Sequence, residues 1–222
     1  MNTTTRLDRE HIEANLGDVC KHHGWKAQFG HPSGRIGRLV GHLMAWKNAR
    51  MNRLAVRLLD IQPGDRVLEI GFGHGAAIRD TARLATKGLV CGIDVSDVMV
   101  AQATARNRKA IRKGRVELRQ GSVSGFPYPD TQFDKVYAVN SIQHWPSIPD
   151  DLREVRRVMK PGALLLVCLR MKHPNQHGLM SPGFTPEGAA RIVNRVREAG
   201  FGEVRTEVHQ AGRETACVFG TA

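Results

Sequence analysis

The segment Glu69-Ile70-Gly71-Phe72-Gly73-His74-Gly75 places three glycines at alternate positions, with a carboxylate two residues before the first. Glycine permits positive φ, a sharp turn and close approach of backbone to a ligand. The apolar run Val67-Leu68-Glu69-Ile70 ahead of the loop reads as a buried strand, and the residues from Ala76 to about Ala85 read as a helix. A glycine turn that opens a helix offers unpaired N–H groups to an anion. Asp94 ends the next apolar run, Leu89 to Asp94, where a carboxylate can accept bonds from both hydroxyls of a ribose. Alone, the glycines would be structural turn residues; with strand, helix and acid in place they point to a nucleoside-bearing cofactor.

Two cofactor patterns compete. Gly71, Gly73 and Ala76 formally satisfy G-x-G-x-x-G/A, the dinucleotide loop of nicotinamide and flavin enzymes. The pattern E/D-x-G-x-G-x-G is matched from Glu69 to Gly75 at every specified position. An acid beside a pyrophosphate meets two like charges, whereas a sulfonium-bearing amino acid brings a cation and an ammonium group. Glu69 therefore favours a positively charged ligand.

These residues need a frame, and the rest of the chain supplies one. Ser96 reads as the N-cap of a helix from Asp97 to Ile111, and Arg115 to Arg119 as a strand. Phe133 to Val139 reads as a strand, Pro149 to Met159 as a helix, Lys160-Pro161-Gly162 as a turn and Ala163 to Leu169 as a strand. A helix from Thr185 to Ala199 precedes two alternating segments, Glu203 to His209 and Glu214 to Phe219, which form a hairpin at one sheet edge. Alternating strands and helices predict a doubly wound, mainly parallel sheet with helices on both faces. Ahead of it, residues 1–34 lack sustained periodicity and Ile36 to Leu59 carries amphipathic helix spacing. The expected division is an N-terminal arm and helical cap over 1–59 and a cofactor-binding domain over 60–222.

With these motifs the chain resembles the class I S-adenosylmethionine-dependent methyltransferases, in particular the branch that includes quinone, sterol and phospholipid methylating enzymes. The resemblance spans about residues 60–172 and rests on five blocks in order. They are Val67 to Gly75, Gly92-Ile93-Asp94-Val95-Ser96 with Met99 beyond, Phe126 to Asp134, Val139 to Trp145, and Glu154 to Gly162. It implies a Rossmann-like α/β fold whose seven-stranded sheet ends in an antiparallel hairpin strand. It also implies S-adenosyl-L-methionine as cofactor and S-adenosyl-L-homocysteine as product. Gly71, Phe72, Gly73, His74 and Gly75 would line the methionine part, Asp94 would hold the ribose, and Val95 and Met99 would face the adenine. Ser122 and Val123 would meet the adenine edge, and Asn140 would lie under the methionyl group. Many relatives carry Asp where this chain has Ser122, which puts that one contact in doubt.

The sulfonium donor arrives activated, so the protein contributes alignment and desolvation, and a general base only where the acceptor is a hydroxyl or carbon acid. His144, just past the fourth strand, is the first candidate base; the bland alternative is that His144-Trp145-Pro146 shapes a loop. His74 divides between cofactor contact and exposed decoration. Cys20, His22, His23 and His31 lack the spacing of a metal frame, and no metal is expected.

Charge bears on the acceptor. The 222 residues hold 33 Lys and Arg against 21 Asp and Glu, a net charge of +12. Arg35 to Arg57 holds six Lys or Arg and no acid, and Arg106 to Arg119 holds seven with Glu117 alone opposed. This favours an anionic small-molecule or lipid acceptor, or peripheral contact with an anionic membrane surface; a solvated helix face is the plain alternative. Nucleic acid is disfavoured as substrate, because Asn140-Ser141-Ile142-Gln143 stands where base-amine methyltransferases carry [N/D]-P-P-[Y/F/W], and aromatics are only 5% of the chain. An NAD-dependent oxidoreductase and a non-catalytic cofactor-binding module are the remaining readings. The longest apolar run, Ala163 to Leu169, is short of the ~20 residues that span a bilayer. Without a signal-like N-terminus, the expected address is cytoplasmic.

Overall fold

The computed structural model describes residues 48–173 and 183–222. Its sheet is built from β1 (Arg66–Ile70), β2 (Leu89–Asp94), β3 (Val116–Gln120), β4 (Phe133–Val139), β5 (Met159–Arg170), β6 (Gly202–Gln210) and β7 (Glu214–Thr221), in the spatial order β3-β2-β1-β4-β5-β7-β6. Every pairing up to β4–β5 is parallel, whereas β7 runs antiparallel to both β5 and β6. The helices are α1 (48–58 of the described chain), α2 (Ala76–Leu84), α3 (Asp97–Arg112), α4 (Ile148–Val158) and α5 (Pro186–Glu198). The expected arm and most of the expected cap, with Cys20, His22, His23 and His31, lie outside the described residues.

Adjacent strand residues face opposite ways, and both faces are covered, so the central strands are apolar on consecutive positions. Leu68, Ile70, Val136, Ala138 and Leu165 pack with Leu152 and Val155 of α4 and Ile192 and Val196 of α5. Val67, Val90, Tyr137, Val139 and Phe219 pack with Met51, Leu54 and Ala55 of α1 and Ala77 and Ile78 of α2. The order reverses at β1: the chain goes outward to β2 and β3, then returns to place β4 on the other side. Such a switch point opens a crevice at the carboxyl ends of the two central strands.

Two local features differ from the sequence reading. Lys160-Pro161-Gly162 is not a turn outside the strand; β5 starts at Met159, and the register breaks between the pairs Phe133–Met159 and Lys135–Leu164. Gly162 adopts φ +78°, and its N–H donates to Ala222 O at 2.9 Å, so the end of the chain holds the excursion inside the sheet. The closing hairpin forms as expected, but β7 is inserted between β5 and β6 and buried from Thr215 to Gly220, while only the edge strand β6 alternates. Burial on both faces overrides the period-2 reading of β7.

Candidate active site

The glycine loop is made by three left-handed residues, with φ +73° at Gly71, +54° at Gly73 and +73° at Gly75. Their tasks differ. A Cβ on Gly71 would stand 2.6 Å from Ser141 Cβ, so this glycine lets the loop approach the end of β4. A Cβ on Gly75 would stand 2.6 Å from Ala103 Cβ, so this one lets α2 approach α3, and Asn107 Nδ2 seals the approach by donating to Gly75 O at 3.0 Å.

Asp94 braces the loop from the neighbouring strand. Its Oδ2 accepts from Gly73 N at 2.8 Å and its Oδ1 from Ser96 N at 2.9 Å. Ser96 in turn caps α3, its Oγ accepting from Met99 N at 3.3 Å. One carboxylate thus fixes the glycine turn, the strand end and the following helix together.

Glu69 is 2% exposed. The β1–β4 register sets it beside Tyr137, whose hydroxyl donates to Glu69 Oε2 at 2.8 Å and lies 3.1 Å from Thr81 Oγ1. Burial pushes its carboxyl up to about 8, outweighing the Tyr137 bond that opposes the shift; the charge of Asp94 adds to the rise. A buried acid held neutral near physiological pH is poised for a cation.

The crevice at the switch point is a cavity lined by Glu69, Gly71, Phe72, His74, Asp94, Val95, Met99, Ser122, Val123, Asn140 and His144 among the residues singled out in the sequence. Gly73 and Gly75 are outside its lining; one braces the loop through Asp94 and the other makes room for α3. Phe72 is buried, with Gly92 beneath its ring, where a Cβ would come within 2.6 Å of Phe72 Cδ1. His74 is buried, and its carbonyl accepts from Arg106 Nε at 3.0 Å, which removes the exposed-decoration reading. Ser122 caps the short turn Val123–Gly125, accepting from Ser124 N at 3.2 Å. His144 is exposed at the mouth, its Nε2 3.4 Å from Gln143 Nε2.

Among the lining residues that sequence reasoning did not single out are two asparagines and a serine. Asn48 and Asn52 reach the lining from one turn to the next of α1, an amide pair at helical spacing inside a basic, apolar segment. Ser141 lines it too and ties β4 to β1 by donating to Ile70 O at 2.8 Å. Asn140 was expected here, but not its backbone: φ is +51°, a left-handed conformation that Asn tolerates better than most residues and that costs energy held at a site. A floor of glycine backbone, a carboxylate on the second strand and a buried neutral acid suit a ligand that brings hydroxyls together with a positive charge.

Comparison with known proteins meets this geometry. A family model described as a methyltransferase domain matches residues 68–167, which hold the glycine loop, Asp94 and the β4 end. The chain carries a methyltransferase domain and is similar to the class I S-adenosylmethionine-dependent methyltransferases. S-adenosylmethionine is the methyl donor of this family. The uncharacterized methyltransferase YdaC of Bacillus subtilis is 28% identical over 166 residues, 75% of this chain and 87% of its own length. The 27-O-demethylrifamycin SV methyltransferase of Amycolatopsis mediterranei is 34% identical over 149 residues, 66% of this chain and only 50% of its own length. The chain therefore spans about half of that relative, and a smaller share of the sterol methyltransferases it also matches. In fold it is similar to a SAM-dependent methyltransferase from Aquifex aeolicus, with a TM-score of 0.64, 22% identity, and coverage of 78% of this chain and 92% of that one.

Proposed function

We propose that this methyltransferase moves a methyl group from S-adenosylmethionine to a small organic or lipid acceptor that carries an anionic group. One observation carries the reading: a single cavity joins the cofactor half, from the glycine loop to Asp94 and Met99, to a second wall of Asn48, Asn52, His144 and Trp145. When bound, the donor supplies the activated methyl group. Asp94 takes the ribose hydroxyls, Glu69 answers the positive charge, Val95, Met99 and Val123 enclose the adenine, and Ser122 stands at its edge. Asn140 presents its left-handed backbone beneath the methionyl group. His144 stands on the acceptor side, where it accepts the proton of an acceptor hydroxyl at a ring nitrogen. The rifamycin, sterol and menaquinone methyltransferase names among the relatives support an organic acceptor over nucleic acid.

The test is transfer from methyl-labelled S-adenosylmethionine into a cell extract, with label counted in organic-extractable, aqueous low-mass and nuclease-sensitive fractions. Label is expected in the first two. Label confined to nuclease-sensitive material overturns the proposed acceptor class. His144→Ala is expected to keep cofactor affinity and to slow transfer by about 100-fold or more, the usual contribution of a general base. Undiminished transfer removes His144 from the mechanism.

A further inference from the structure

β6 is the outer strand of the sheet, and among the described residues no strand pairs with its outer side. From Arg205 to Gln210 it holds an unbroken antiparallel register with β7; ahead of that a bulge, with Glu203 at φ +47°, interrupts the ladder. Such an edge offers a row of backbone N–H and C=O groups to any further strand. Bulges and charged side chains are the usual protection against indiscriminate pairing, and β6 carries both. Its charges alternate in sign, however, and that order selects a partner.

Successive side chains of a strand point to opposite faces. Arg205, Glu207 and His209 share one face of β6. The Arg205 guanidinium stacks 4.1 Å from the centre of the Phe219 ring, its Nε lies 3.3 Å from Glu207 Oε1, and His209 Nε2 lies 3.1 Å from Glu207 Oε2. Val204, Thr206 and Val208 share the other face. Val204 packs against the cluster that holds Ile192 and Val196 of α5, whereas Val208 is 62% exposed, the most exposed large apolar side chain among the described residues.

A second copy of the chain fits this pattern. A two-fold axis perpendicular to the sheet joins two β6 strands antiparallel and continues each face of one sheet into the same face of the other. Residues opposite each other then share a face, so the axis passes through a residue and not between two. Centred on Arg205 or on Glu207, it sets that charge against itself, which destabilises the pair. Centred on Val208, it leaves Arg205 opposite Ala211, beyond the end of the strand. Centred on Thr206, it sets Arg205 opposite Glu207 of the second copy, Glu207 opposite its Arg205, and Val208 opposite its Val204. With the Arg205–Glu207 pair already present in each strand, four charges of alternating sign close into a ring on one face, while the exposed Val208 is covered on the other. We propose that β6 is a self-association edge through which two copies join their sheets in the register centred on Thr206. β6 lies three strands beyond β4, so the crevice of each copy stays open. A ladder this short gives a small interface, and the association depends on concentration and weakens as salt screens the ring.

Sedimentation equilibrium of the whole chain over a range of concentrations tests this. At low salt the mean mass should rise from that of one chain toward that of two, and the rise should shrink at high salt. Arg205→Glu and Glu207→Arg each set like charges opposite in this register, and each variant alone should stay monomeric while S-adenosylhomocysteine affinity holds. An equimolar mixture of the two variants restores both opposite-charge pairs, as does a single chain carrying both substitutions. Both should dimerise again, a recovery that loss of folding cannot imitate, and the doubly substituted chain should not pair with the native one. A native chain that stays monomeric at every concentration, a dimer that survives both single reversals, or a mixture of the two variants that stays monomeric overturns the proposal.

Discussion

Glu69 is where a single residue ties ligand charge to pH. Its carboxyl, raised to about 8 by burial, is protonated in the folded protein across a range where the unfolded chain, near its ordinary value of 4.5, has released the proton. The folded state binds the extra proton, so this contribution to stability is whole below about pH 4.5 and is lost as pH rises toward 8. The isosteric Glu69→Gln variant keeps a neutral group in the Tyr137 pocket and should flatten that decline, as read from urea midpoints between pH 5 and 8. A cationic ligand reverses the preference: the carboxylate becomes the favoured form, and a proton leaves as the ligand enters. Titration of S-adenosylmethionine at pH 7 in buffers of different ionisation enthalpy should therefore reveal proton release in the native protein and none in Glu69→Gln. Equal proton release from both would detach Glu69 from the ligand. The acid itself was legible in the sequence from its place ahead of the glycines. Its partner was not, because the Tyr137 contact comes from the parallel register of two strands separated by 68 residues.

At the scale of elements, the glycine loop shows how one motif does two jobs. Gly71 and Gly73 shape the ligand side, while Gly75 sets the spacing of α2 against α3. Gly114 provides the matched control, since its φ of +66° is also left-handed but a Cβ there meets nothing within 4 Å. Gly114→Ala should cost only the left-handed penalty, about 1–2 kcal/mol. Gly75→Ala should cost that and a further ~1–3 kcal/mol of overpacking against Ala103. Equal costs in urea denaturation would show that the α2–α3 gap can open freely. The order and type of the elements could be read from hydrophobic period and caps: Ser96 caps α3 as its place suggests, while Thr185, read as the first residue of its helix, is the cap of α5. What could not be read were long-range effects. The excursion at Gly162 depends on a bond to Ala222, the burial of β7 on its place inside the sheet, and the amides of Asn48 and Asn52 on α1 lying against the crevice.

On the scale of the whole molecule, the excess positive charge is not spread evenly, and its second concentration is visible on α3 and the turn after it. Arg108, Lys109, Arg112 and Lys113 are exposed and, among the described residues, enter no ion pair. Between Asp97 and Lys113 there is no aromatic residue, so this face has neither stacking platforms for bases nor a wedge for insertion into lipid. What remains is electrostatic, and a basic face near an anionic bilayer gains about 1 kcal/mol per Lys or Arg. That is enough for loose attachment, not for stable anchoring, and it is screened over a Debye length of about 8–10 Å at physiological salt. We propose that this face brings the enzyme to anionic membrane surfaces. The protein should float with phosphatidylserine-containing vesicles at low salt, stay behind with phosphatidylcholine vesicles, and be released as salt is raised. Reversing three charges together, Arg108→Glu, Lys109→Glu and Arg112→Glu, should abolish flotation without altering S-adenosylmethionine affinity, because these side chains are absent from the cavity lining. If the native protein fails to float at low salt, or the triple variant floats as well as the native chain, the basic face is a solvated surface and the charge bears on the acceptor alone.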